Sequence, residues 1–190
     1  MRNLSQQEKE ILSELIRNPR ASDNEVSRKT KISVATINRK RKALEKEGIL
    51  YYFTYVNNWK NGTEGFGSRQ LYIIKLKYGI TRKQVMDTFF SEDKVKTLML
   101  KHILHSFLGE VNGQVAFIYM IESRIDTDIL EIFNAEIGPE LIQAFGKDAI
   151  QDTVSIPITQ TFSVLHNYNT VNMENGKMKK YWPNSKIFVS

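Results

Sequence analysis

One segment constrains this chain more than any other: Ser33-Val-Ala-Thr-Ile-Asn-Arg-Lys-Arg-Lys-Ala-Leu-Glu-Lys-Glu47. An α-helix turns about 100° per residue, so placing Ile37 at zero puts Leu44 about 20° away and Val34 about 60° away, on one apolar stripe. Ala35, Arg39, Lys42 and Lys46 fall within about 40° of the opposite direction, which leaves a basic ridge facing solvent. Ser33 is the natural N-cap, because its hydroxyl can accept from a first-turn amide, and Gly48 suits the helix C-terminus. The short side chain of Ala35, between Ser33 and the flanking Thr36 and Asn38, would let the first turn approach the edges of nucleic-acid bases. Arg39, Lys40 and Lys42 have the reach for bases or phosphates, and Lys46 sits further along the same helix. Taken alone, such a ridge is equally a solvated surface.

The residues around it change that balance. Residues 4–18 hold Ile11, Leu12, Leu15 and Ile16 at amphipathic helical spacing, closed by Asn18-Pro19. Ser22-Asp-Asn-Glu25 has the spacing of a capping box and opens a short second helix through Val26 to about Thr30. Lys31 and Ile32 make the tight turn into the basic helix that a helix-turn-helix requires. After Gly48, residues 49–56 are rich in β-forming side chains and read as a wing strand.

These residues resemble the winged helix-turn-helix of the leucine-responsive and asparagine-synthesis regulators, the Lrp/AsnC family. The matching letters are Glu10-Ile-Leu with Leu15, Ala21-Ser22 with Glu25-Val26, Ile32-Ser33, Thr36-Ile37, Arg39, and Leu44-Glu45 with Glu47-Gly48-Ile49. Other winged-helix families carry similar strings. Arg41 departs from the pattern, standing about 40° from Ile37 where the family more often has an aliphatic residue. Its stem would cover the apolar stripe while its head pairs with Glu10 or Glu14 of the first helix. The resemblance implies contact with double-stranded DNA by Ser33, Ala35, Thr36, Asn38, Arg39, Lys40, Lys42 and Lys46.

Charge agrees with the assignment. Residues 1–60 hold 13 Lys and Arg against 7 Asp and Glu, whereas residues 61–190 hold 14 of each. A basic region of this kind attracts polyanions through counterion release. An anionic membrane surface would attract it too, but no apolar run approaches the roughly 20 residues that cross a bilayer, and no signal peptide is evident. The absence of cysteine removes disulfides, thiolate metal sites and a cysteine nucleophile together, and fits a cytoplasmic protein.

Turn formers at residues 57–67 separate the wing from the rest of the chain. Beyond them come a strand at 71–77, a helix at 81–91 carrying Val85, Met86, Phe89 and Phe90, and a β-rich stretch at 95–108. The turn Gly109-Glu-Val-Asn-Gly113 leads to a strand at 114–122, then a helix at 126–145 that Gly138-Pro139 kinks or divides, and a last β run at 150–166. The order β-α-β-β-α-β is that of a ferredoxin-like domain. The fold class expected is therefore α+β: a winged helix-turn-helix at 1–56, a linker at 57–69, a ferredoxin-like domain at 70–166 and a short extension at 167–190. The family uses the second domain for dimerisation and, in many members, for binding an amino acid or similar effector. Gly109 and Asn112 occupy the family's Gly-x-x-Asp turn with an amide replacing the acid, which weakens recognition of an effector's amino group; a plain hairpin is the simpler account.

Nothing assembles into an enzyme. His102 and His105 would share a face on a helix but point apart on a strand, and their surroundings look β-like. With His166 the only other histidine, no metal site and no cofactor are expected. The Asn175-Gly176 pair signals a hairpin in the extension, which is locally basic through Lys177, Lys179, Lys180 and Lys186. It is expected to pack on the sheet or on a partner subunit, with a second contact to the DNA backbone as the sharper alternative. The function this supports is sequence-specific DNA binding by a transcriptional regulator that self-associates through residues 70–166, with a small effector a further expectation. The competing reading is a winged-helix module for protein interaction or RNA binding.

Overall fold

Two capping boxes start the first two helices of the computed structural model, which describes residues 2–54, 65–91, 101–169, 171–174, 177–183 and 186–187. The Ser5 amide donates to the Glu8 carboxylate at 2.8 Å and the Glu8 amide returns to the Ser5 hydroxyl at 3.4 Å, opening α1 (Gln6–Arg17). Ser22 and Glu25 repeat the exchange at 2.7 and 3.2 Å ahead of α2 (Asp23–Thr30). Each box satisfies amide donors that the first helical turn leaves orphaned. Lys31 turns the chain in the left-handed conformation, φ 62°, and Ser33 then caps α3 (Val34–Lys46) by accepting from the Thr36 amide at 3.3 Å. Ile11, Leu15, Ala21, Val26, Ile32 and Ile37 form one core cluster, and Leu44 is fully buried too. Val34 remains 41% exposed, so the apolar stripe of α3 is narrower than its helical angle suggested.

The expected wing strand does not form over residues 49–54. The Ile49 and Leu50 amides both return to the Leu44 carbonyl, at 2.9 and 3.2 Å, prolonging the helix terminus instead of opening a ladder. A strand needs a partner, and among the described residues none pairs with this segment. Residues 55 and 56 of the expected wing, and the linker as far as residue 64, lie outside the described residues.

The sheet domain contains β1 (Ser68–Leu76), α4 (Arg82–Ser91), β2 (Ile103–Val111), β3 (Gln114–Ser123), α5 (Asp126–Ile132), α6 (Gly138–Phe145) and β4 (Ile150–Pro157). Its strands run in the order β2-β3-β1-β4 with every neighbour antiparallel, the ferredoxin-like arrangement. Alternation sends Tyr72, Ile74 and Leu76 of β1 and Phe117, Tyr119 and Ile121 of β3 to one face, where Val85, Ile129, Ile132, Ile137 and Leu141 cover them. Val85 of α4 points inward, while Met86 is 40% exposed. The opposite face carries Leu71 and Ile73 beside Met120 and Ile118, flanked by Phe107, Val154 and Ile156. Arg69 and Glu122, directly opposite across β1 and β3, make a buried ion pair at 2.7 Å.

Three boundaries differ from expectation. The β-rich stretch begins as strand only at Ile103 and continues to Val111; residues 95–100 lie outside the described residues. The turn after it contracts to Asn112 and Gly113, φ 52° and 77°, because two left-handed residues match strand twist in a tight hairpin. Gly109 is thereby inside β2, paired with Ala116. The long helix is not broken at Gly138-Pro139. A π-helical turn, Phe133–Ile137, lets the Gly138 amide reach the Phe133 carbonyl and absorbs a proline that has no amide and would crowd the carbonyl four residues back.

The last β run divides after Pro157, and the chain forms two compact units, residues 56–160 and residues 1–55 with 161–190. The extension thus belongs with the three helices. In it β5 (Ser163–Leu165) pairs with β6 (Tyr168–Asn169), and β7 (Met173–Glu174) with β8 (Lys177–Met178). The Asn175-Gly176 turn lies outside the described residues, but the strands on either side of it pair in hairpin register. The extension packs on α1: the Tyr168 hydroxyl donates to the Ile16 carbonyl at 3.0 Å, and Arg17 donates to the Trp182 carbonyl at 2.6 Å. Ile16 lies in the last turn of α1, where carbonyls lack an intrahelical partner, so the extension satisfies what the helix leaves open. Ile187 and Met178, 2% and 9% exposed, anchor it.

Because Ile37 is fully buried, Ile37→Ala is expected to lower the stability of the three-helix unit by about 2–5 kcal/mol, read as a drop in urea midpoint. A loss below about 0.5 kcal/mol, the range of surface substitutions, would mean that α3 does not bury this face.

Candidate DNA interface

The eight residues of the expected interface fall into distinct environments on α3. Ala35, Arg39, Lys42 and Lys46 are exposed, on the side away from buried Ile37 and Leu44. Arg39 and Lys46 hold no hydrogen bond or ion pair among the described residues. Ser33 is exposed but occupied as the cap, and its hydroxyl also donates to the half-buried Thr36 hydroxyl at 2.9 Å. Lys40 leans back towards α1, with its ammonium 3.3 Å from the Ser5 hydroxyl and 3.8 Å from Glu8. Asn38 is exposed, yet its amide nitrogen donates to Asp23 at 2.9 Å.

Arg41 does not reach Glu10 or Glu14. Its Nη1 donates to Asp23 at 2.8 Å and to the Ala21 carbonyl at 3.2 Å, and its Nε donates to the Tyr52 hydroxyl at 2.7 Å. Glu14 is instead taken by Lys29 at 2.7 Å, and Glu10 by Gln6 at 3.1 Å. The physical reason is the start of α2, which brings a carboxylate to α3 closer than any on α1. The guanidinium also lies 5.4 Å from the Tyr52 ring centroid, so a residue read as wing becomes its cover. The hydrogen bond from Asn38, then that from Arg41, hold the Asp23 carboxyl below its ordinary pKa against the opposing effect of burial.

A second carboxylate at the base of the interface was not singled out from sequence, although its Ser-x-x-Glu spacing ahead of Ile11 was legible. Glu8 is 7% exposed and accepts from Arg2 at 3.1 Å as well as from Ser5. Its carboxyl is drawn down to about 2, first by the Arg2 hydrogen bond and then by the Ser5 amide. Arg2 also bonds Glu47 at 2.6 Å, which ties the chain start to the end of α3.

The partition into two units concentrates charge further than the linear sequence did. Residues 1–55 with 161–190 hold 16 Lys and Arg against 8 Asp and Glu, whereas residues 56–160 hold 11 against 13. His102 ends a helical turn before β2 and approaches Glu136 at 3.3 Å without hydrogen-bond geometry, and Lys101 shares that carboxylate at 3.1 Å. His105 stands in β2 beyond a register irregularity. Among the described residues no group of three or more His, Cys, Asp or Glu could hold a metal, and no helix is long and apolar enough to cross a membrane.

Residues 4–51 match the family model described as winged helix-turn-helix DNA-binding. The chain is similar to Escherichia coli AsnC, with TM-score 0.63 and 18% identity over 84% of this chain and 94% of that one. The chain has the fold of the Lrp/AsnC regulators. It is similar as well to Bacillus subtilis LrpC, TM-score 0.60 at 17% identity over 86% of this chain and all of the other. A transcriptional regulator from Neisseria meningitidis, solved as a complex with L-Met, gives TM-score 0.58 at 14% identity over 98% and 100% of the two chains. No curated protein sequence gives a significant match.

Glu8 is expected to contribute to acid sensitivity. Its folded pKa of about 2 lies below the ordinary 4.5, so its stabilisation is fully present above about pH 4.5 and is lost as pH falls towards 2. Glu8→Gln is expected to be less stable at pH 7 and to lose less than the parent on acidification across that window. Parallel stability curves from pH 6 to 2 would show that Glu8 carries no such linkage.

Proposed function

We propose that this protein is a sequence-specific DNA-binding transcriptional regulator, not an enzyme, and that it acts as a homodimer or larger homo-oligomer. The observation that carries this reading is the exposed, basic face of α3, with Ala35, Arg39, Lys42 and Lys46 outward on a helix whose other face is buried. The winged helix-turn-helix match over residues 4–51 supports the same role. Entry of α3 into the major groove puts Ala35 and Arg39 near base edges and Lys46 near phosphate. Lys40, held towards Glu8, must release that contact to reach DNA, and Thr36 contributes through its Ser33-bonded hydroxyl at the helix start.

Self-association is supported by the sheet face opposite the helices. Phe107, Val154 and Ile156 are 59%, 47% and 43% exposed on the strands that flank it, continuous with Leu71, Ile73, Ile118 and Met120. An apolar surface of this extent gains about 25 cal/mol for each Å² removed from water, and a second copy supplies a matching face. Two α3 helices about 34 Å apart along one face of DNA would then read successive major grooves.

An amino-acid effector enters only by analogy with the Neisseria regulator solved with L-Met. Gly109 is held inside β2, and Asn112 offers a neutral amide, a weaker acceptor for an ammonium group than a carboxylate. The apolar void bounded by Val85, Phe89, Phe117, Tyr119, Leu141 and Phe145 holds about 20 Å³, room for roughly one water and too little for an amino acid.

Arg39→Ala is expected to weaken binding to a cognate site by about 1–3 kcal/mol with little effect on random DNA, whereas Lys46→Ala lowers both and reduces the salt slope by about 1. Equal loss on both DNAs for Arg39→Ala would reject base reading, and RNA competing as well as duplex DNA at the same salt would favour the RNA-binding alternative. Phe107→Lys is expected to shift the protein towards monomer in sedimentation equilibrium; an unchanged mass would place the contact elsewhere.

A further inference from the structure

Two elements meet at one carboxylate. Asp23 opens α2, and both of its oxygens are engaged by α3: Oδ2 accepts from Asn38 Nδ2 at 2.9 Å, and Oδ1 accepts from Arg41 Nη1 at 2.8 Å. Arg41 is itself fixed by the Ala21 carbonyl and the Tyr52 hydroxyl, so the carboxylate is clamped from one side and cannot swing freely from the other. Asp23 and Arg41 are mostly covered, with side chains 18% and 19% exposed, while Asn38 is exposed next to the basic face of α3.

An ionised carboxylate only accepts hydrogen bonds, so it must be met by the nitrogen end of the Asn38 carboxamide and never by the oxygen end. Rotating the carboxamide by half a turn would bring two lone-pair oxygens to about 3 Å and break the bond. Nδ2 spends one hydrogen on Asp23. What remains for a ligand is an acceptor, Oδ1, and one further N–H donor. In the major groove only adenine presents the complementary pair, the N6 amino donor beside the N7 acceptor; guanine and thymine oppose Oδ1 with another acceptor, and cytosine satisfies one bond only.

Resting on the reading of α3 as the DNA-reading helix, we propose that Asp23 is a specificity-determining positioning residue: it orients Asn38 so that this position selects adenine. Asp23 does not itself touch a base. Arg41 neutralises it beside the phosphates and is withdrawn from base reading by the same ion pair. The residue that departs from the family's letters therefore serves the interface from behind.

The test is selection of bound sites from a randomised DNA duplex pool by the full chain and by Asp23→Asn, Asn38→Ala and Arg39→Ala. Asp23→Asn keeps the shape of the side chain but can donate as well as accept, which frees Asn38 to present either end. The parent is expected to enrich adenine at one position of each half-site. Asp23→Asn and Asn38→Ala should both reduce that preference on the order of tenfold at the same position, and Asp23→Asn should retain the preferences at the remaining positions. Asp23→Ser repeats the experiment should the first variant lose melting temperature. The proposal is overturned if Asp23→Asn keeps the preference that Asn38→Ala loses, or if the position lost is not adenine. The underlying reading of α3 fails separately, and the proposal with it, if Arg39→Ala leaves the selected sequence unchanged or if no duplex is enriched.

Discussion

Burial of Ile37 and Leu44 fixes the rotation of α3, and with it almost everything the N-terminal unit presents to the outside. Both side chains are fully removed from solvent, and returning either to water would cost about 1.5–3 kcal/mol. A helix held by two such residues seven apart cannot roll. Arg39 and Lys46 are then outward by geometry alone, with no hydrogen bond or ion pair among the described residues to hold them there. The capping boxes of α1 and α2 and the Ser33 cap set where each helix begins, so the buried stripes of all three meet in register.

That rotation also decides which polar side chains are spent on the fold. Asn38 and Arg41 lie on the flank of α3 that faces the start of α2, and both are drawn to Asp23; Lys40 lies on the other flank and is drawn to Glu8. The basic character of the helix was legible from the letters, as were the caps and the outward residues, because these depend on local spacing. The partner of Arg41 was not. Glu10, Glu14 and Asp23 are all carboxylates within reach of such a side chain when only chain order is known, and only the crossing of α2 against α3 chooses among them.

The second unit shows the same division at larger scale. Its β-α-β-β-α-β order is visible in alternating runs and turn formers, and the sheet order β2-β3-β1-β4 completes it. The π-helical turn was not readable, although its cause was: Gly138-Pro139 announced a disturbance without saying whether the helix would break or widen. The segment just after α3 differs in another way. Residues 49–54 have strand-forming side chains, yet β propensity acts only through a paired neighbour, and Tyr52 is used against Arg41 instead.

The sequence by itself determined the elements that short-range physics controls: three helices, the second and third with their caps, one basic ridge, a turn within residues 109–113, alternating strands and a charge surplus near the start of the chain. Tertiary structure alone decided how distant pieces were joined. Residues 161–190, more than a hundred positions from α1, fold into the same unit and satisfy its Ile16 carbonyl. The apolar face of the sheet and the Asp23 clamp on Asn38 arise in the same way. Hydrogen bonds and burial between remote segments depend on where the backbone brings them, and no local pattern of letters encodes that meeting.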